Sequence, residues 1–186
     1  MVGLGKEEIK WAVLGAWDII VEGVLKEKDK KIRMQKAEGT EKTENKWSLE
    51  SRSKLKSIGL ALSEHEDAAA GMLHFVKYAE YMLPRSGMDK TLEELLKKVG
   101  ELRKSGQKPE IQREMLSHLV GYLCWSIDAY CQILTDTKAH ENPENAREPL
   151  KNMFSAEFTV LGIDQQEKMK DYVEKLIKYI RDNIKR

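Results

Sequence analysis

The stretch Pro109-Glu-Ile-Gln-Arg-Glu-Met-Leu-Ser-His-Leu-Val-Gly-Tyr-Leu-Cys-Trp-Ser-Ile-Asp-Ala-Tyr-Cys-Gln-Ile-Leu134 decides the fold class. Its proline stands at a first helical position, where the missing N–H costs nothing. Ile111, Met115, Leu116, Leu119, Val120, Leu123, Ile127, Cys131 and Leu134 then recur mostly at spacings of three and four. That is the period of one helical face, not of a strand. The apolar set is broad enough to place this helix at the centre of a bundle.

The same periodicity recurs on both sides of this stretch. Toward the C-terminus, Thr135 to Arg147 reads as a polar loop, Pro149 to Phe158 as a short helix, and Gly162 as a break. Asp164, with Glu167 three residues on, caps a final amphipathic helix through Met169, Val173, Leu176, Ile177 and Ile180. Toward the N-terminus, Thr91 and Glu94 fit a capping box opening a helix through Leu95, Leu96, Val99 and Leu102, which ends at Gly106. Ser63 and Glu66 fit another, before Ala69, Met72, Leu73, Val76, Ala79 and Met82, with Pro84 as the stop. A helix over Leu49 to Leu62 buries Leu55, Ile58 and Leu62, and one over Lys6 to Lys26 buries Ile9, Val13, Ala16, Trp17, Ile20 and Val24. Glu27 to Asn45 is dense in Lys and Glu and reads as a solvated connector or a frayed helix extension. The expectation is an all-α helical bundle of five to seven helices, one domain over 1–186, with a charged flexible connector at about 27–47.

Hydrophobic residues at 41% exclude wholesale disorder, while 34% charged residues imply heavily solvated outer faces. The formal net charge of +1 is too small for a protein that coats bare nucleic acid by itself. Any such contact must come from a local patch or from partner subunits. Cys124 and Cys131, seven residues apart on one helix, lie roughly 10 Å apart along the axis and cannot pair while helical. They read as reduced thiols of a cytoplasmic protein. The N-terminus does not read as a signal peptide, and no apolar run reaches membrane-spanning length. The reading includes no membrane association and no cofactor.

Motifs for chemistry are sparse. His65, His74 and His140 lack metal-ligand spacing, so no metal site is expected. Gly3-Leu4-Gly5 has neither the preceding strand nor the Gly-Lys-Ser/Thr of a phosphate loop. Arg113-Glu-Met-Leu-Ser-His118 is different. It resembles the Arg-x4-6-His motif of the HEPN ribonucleases and toxins, small all-helical proteins. That resemblance implies histidine as acid or base and arginine as phosphate stabiliser, with Arg113 and His118 as the catalytic alternative. Tyr122 adds to the likeness; Glu114, beside the arginine, would oppose an RNA phosphate. A third class, a helical adaptor that binds only protein, needs none of these groups.

Basic and aromatic residues interleave elsewhere. Arg52, Lys54 and Lys56 cluster within little more than a turn, and Lys77 and Arg85 flank Tyr78 and Tyr81. Trp47, Phe75, Tyr78, Tyr81, Tyr122, Trp125 and Tyr130 would stack bases if exposed, and otherwise serve as core anchors. Three segments, Ser51-Arg-Ser-Lys-Leu55, Phe75-Val-Lys-Tyr-Ala-Glu-Tyr-Met-Leu-Pro-Arg85 and Trp125-Ser-Ile-Asp-Ala-Tyr130, form an ordered set. Together they resemble the small helical subunit of type III CRISPR effector complexes, over residues 50–131. The resemblance implies a non-catalytic assembly subunit of an RNA-guided ribonucleoprotein complex, which contacts RNA backbone and neighbouring protein subunits. Arg52, Lys56, Lys77 and Arg85 are then the expected nucleic-acid-binding residues, positioning phosphates without reading bases.

Overall fold

The structure is a computed structural model that describes residues 3–28, 32–36 and 45–184. Its described elements are seven α-helices, one pair of strands and three short 3-10 turns (Val24–Lys26, Ala61–Ser63 and Pro143–Ala146): α1 (Lys6–Glu22), β1 (Ile32–Lys36), β2 (Asn45–Leu49), α2 (Arg52–Leu60), α3 (Ala68–Met82), α4 (Asp89–Lys104), α5 (Pro109–Asp136), α6 (Arg147–Leu161) and α7 (Gln166–Ile184). The all-α helical bundle expected from the periodicity is therefore what the chain forms. It groups into two compact units, one of Met1–Lys31 with Ser51–Ser126, the other of Ile32–Glu50 with Ile127–Arg186. The helix α5 runs through both.

In the first unit α1 buries Ala12, Val13, Ala16, Trp17, Ile19, Ile20 and Val21, and packs on α4, which contributes Leu92, Leu95, Val99 and Leu102. Leu116, Leu119 and Leu123 of α5 are also completely buried in this unit. The start of α3 passes so close to the 3-10 turn after α2 that a Cβ on Gly71 would sit 2.5 Å from the Leu62 carbonyl oxygen. Only glycine permits that approach. On α3 the buried face is Ala68, Met72, Phe75, Val76 and Ala79, so Leu73 and Ala69, expected inside, lie on the solvent side.

Neither expected capping box forms. Ser63 belongs to the 3-10 turn and its hydroxyl donates to Leu60 O at 2.9 Å. The cap of α3 is Asp67, whose carboxylate accepts from Ala70 N at 2.8 Å. Thr91 lies inside the first turn of α4, and its N–H and hydroxyl both donate to Glu27 Oε1, each at 2.7 Å. A carboxylate from 64 residues away thus satisfies an N-terminal amide that local sequence would otherwise cap. Burial, and secondarily Asp89, raise the Glu27 pKa above its ordinary value despite the two hydrogen bonds.

The connector expectation is corrected by the second unit. Residues 32–36 and 45–49 pair as antiparallel strands, with Met34 opposite Trp47 and Ile32 opposite Leu49. Lys46-Trp47-Ser48-Leu49-Glu50 alternates strictly, with Trp47 and Leu49 buried. Three side chains of this unit tie the strands and helices together. Trp47 N donates to Thr135 Oγ1 at 3.2 Å, Tyr179 Oη to Ile32 O at 3.1 Å, and Tyr130 Oη to Leu176 O at 2.9 Å. Burial pushes the Tyr130 phenol well above its usual range and that of Tyr179 up to about 12, so both remain donors. The remainder of the expected connector, residues 29–31 and 37–44, lies outside the described residues. Phe154, Phe158 and Tyr172 form the aromatic contact of α6 with α7, and Gly162 in the left-handed conformation ends α6 as expected. Both cysteines are buried, and they are not joined in a disulfide.

Candidate functional site

A groove with a cavity volume of about 570 Å³ opens in the first unit between α2, the 3-10 turn that follows it, and α5. Its floor is Leu62, Val120 and Cys124; its lips are Leu60 and Trp125. These lips are 63% and 66% exposed, an unusual position for side chains of that size. Trp125 is steadied from behind by Tyr122, edge to face at a centroid distance of 5.7 Å. Gly121 lines the groove, and a Cβ there would meet nothing within 4 Å. Glycine inside a helix costs about 1 kcal/mol relative to alanine. At Gly121 no packing contact within the molecule requires it, and the same holds at Gly100 on α4; of these two only Gly121 lines this groove.

Arg113 lines the far end of this groove, but its guanidinium Nη1 donates to the carbonyls of His65 and Glu66, both at 3.1 Å. It staples the loop before α3 to α5. His118, five residues on, is turned about 140° around the helix axis and is not among the groove-lining residues. Its Nδ1 lies 2.9 Å from Glu114 O, and since a carbonyl only accepts, Nδ1 carries the proton. The structure therefore places Arg113 and His118 on different sides of α5 and turns both toward backbone carbonyls. His65 and His74 meet edge to face at 5.3 Å with Glu64 at 3.6 Å from His74 Nδ1. Among the described residues, no group of three or more His, Cys, Asp and Glu could hold a metal ion.

The four expected nucleic-acid-binding residues fall into two sets. Arg52 and Lys56 lie one turn apart on α2, and Lys56 lines the groove. Lys77 and Arg85 share a line along α3 and its exit with Leu73 and Tyr81, at four-residue intervals. Arg85 lays its guanidinium over the Tyr81 ring at 4.1 Å and donates from Nη1 to Tyr81 O at 2.7 Å. Tyr81 is 56% exposed, and Lys77, one turn away, makes an exposed contact to Glu80 at 3.4 Å. Of the seven aromatic candidates, Trp47, Phe75 and Tyr130 are buried core and Tyr78 and Tyr122 half-buried, which leaves Tyr81 and Trp125 open.

Sequence reasoning missed Leu60 and Gly121. Their signals were a leucine off the buried stripe of its helix and a glycine in mid-helix. Among the described residues, no helix is long and apolar enough to cross a membrane. Comparison of the chain with family models, curated proteins and solved structures finds no match.

Proposed function

We propose that this chain is a non-catalytic helical subunit of an RNA-guided ribonucleoprotein complex, contacting RNA backbone along α3 and neighbouring proteins elsewhere in the first unit. The observation that carries the RNA half is the open Tyr81–Arg85 stack in line with Lys77. A guanidinium held over an exposed ring brings N–H donors for phosphate next to an aromatic surface on which a base can stack. The Phe75–Arg85 stretch that carries it is one of the three segments on which the family resemblance rests. The charge balance of +1 fits a subunit whose hold on RNA comes from assembly rather than from its own field. With Arg113 committed to loop carbonyls and His118 to its own helix, the geometry lends no support to the ribonuclease reading.

The test is fluorescence anisotropy of labelled single-stranded RNA, titrated with the chain at several salt concentrations. Replacing Lys77 and Arg85 together by Glu is expected to weaken binding and flatten log affinity against log salt by about 1.4, at roughly 0.7 per lost phosphate contact. Unchanged affinity and slope would remove these residues from the RNA surface. The RNA should be recovered intact; cleavage that Arg113→Ala or His118→Ala abolishes would establish the ribonuclease instead.

A further inference from the structure

We infer that the α2–α5 groove receives one amphipathic helix of a partner protein, about three turns long, lying parallel to α5 and carrying a cation at its amino end and a carboxylate at its carboxyl end. The length follows from the walls. Arg113 to Trp125 spans twelve residues of α5, roughly 18 Å. The close approach follows from the floor, where Gly121 leaves open space between Leu60 and Trp125 and admits the apolar ridge of another helix.

The direction follows from charge. Gly59 meets Val120, while Arg113 reaches the carbonyls of His65 and Glu66, so α2 with its following turn runs antiparallel to α5. Lys56 therefore lies at the Trp125 end and Glu66 and Glu114 at the Arg113 end. Two carboxylates against one guanidinium leave the Arg113 end net negative, and the other end carries the Lys56 ammonium. Lys56, Glu66 and Glu114 form no side-chain ion pair with any described residue, although i,i+3 pairs are common over the rest of the surface. A helix docked here places its positive amino end against Glu66 and Glu114, and its negative carboxyl end against Lys56.

This inference rests on the protein-contact half of the function proposed above and is independent of the RNA half, because it uses neither Lys77 nor Arg85. The probes are two synthetic helical peptides of about fourteen residues, each with leucines on one face. One has Lys in its first turn and Glu in its last; the other has the two swapped. By calorimetry the first should bind about tenfold more tightly than the second. The preference should invert in the triple variant Lys56→Glu, Glu66→Lys, Glu114→Lys. Gly121→Trp should abolish binding of both while leaving the far-UV circular dichroism and thermal melt those of a folded protein, and Trp125→Ala should weaken binding about tenfold or more. Equal affinities, no binding up to about 1 mM, or indifference to Gly121→Trp would each overturn the inference. So would a dimer that Gly121→Trp converts to monomer, which puts a second copy in the groove, or a crosslink from RNA to Trp125, which puts nucleic acid there.

Discussion

The two halves of α5 do opposite things with the same helical period. From Ile127 to Asp136 the helix buries Ile127, Tyr130, Cys131 and Leu134, and gives the Tyr130 hydroxyl to Leu176 O. From Pro109 to Ser126 it also buries a leucine stripe, but its other side carries Ser117, Gly121 and an open Trp125 along a groove. The second unit adds to its half an ion-pair network, in which Arg147 bonds Glu144 and Glu174 and Arg181 bonds Glu144. In the first unit Arg113 is held by two backbone carbonyls, while Lys56, Glu66 and Glu114 around the groove form no side-chain ion pair with a described residue. One half thus commits its side chains to its own fold, and the other leaves part of them on an open surface.

The comparison is broken most easily by truncation. Phe154→Ala, in the completely buried contact of α6 with α7, is expected to cost about 3–5 kcal/mol in urea unfolding. Trp125→Ala removes a larger side chain yet should stay within about 0.5 kcal/mol, because most of it already faces water. A loss at Trp125 as large as at Phe154 would make the groove part of the core. Tyr130→Phe is expected to cost about 1 kcal/mol, the net worth of one buried hydrogen bond. Gly121→Ala should raise stability by about 0.5–1 kcal/mol, since the new methyl meets open space. A drop would show that glycine is demanded by packing after all.

The smallest effect concerns Glu27, a buried carboxylate that caps a helix from a distance. The folded-state pKa of Glu27 lies above its ordinary value, so its favourable contribution is complete at pH below about 4.5 and is lost as pH rises through the raised value. Glu27→Gln cannot ionise. Wild type should therefore lose stability relative to this variant across that window and run parallel to it elsewhere, which urea midpoints at a series of pH values will show. A difference independent of pH would mean that the carboxylate does not titrate differently on folding.

How much was legible beforehand follows the range of the interactions. The central helix was read within two residues of its end, because proline, apolar spacing and length all act locally. The cap of α4 was not, because Glu27 reaches it from 64 residues away and Thr91 with Glu94 imitates a local solution. The strands were missed because their apolar sides hold only Ile32, Met34, Trp47 and Leu49, and the surrounding charge outweighs them in any window. The sequence offers Trp125 as one of seven aromatic candidates, but its exposure does not show in a helical pattern in which its neighbour Cys124 is buried. The pairing of Arg113 with His118 looked chemical in one dimension and was dispersed by a turn of 140° in three.

The most direct test of the central claim, that RNA is held by the first unit along α3, is amide hydrogen exchange with and without saturating single-stranded RNA. Protection gained at residues 77–88, with 147–184 unchanged, is the predicted result. Protection confined to the second unit, or none anywhere at saturation, would contradict it.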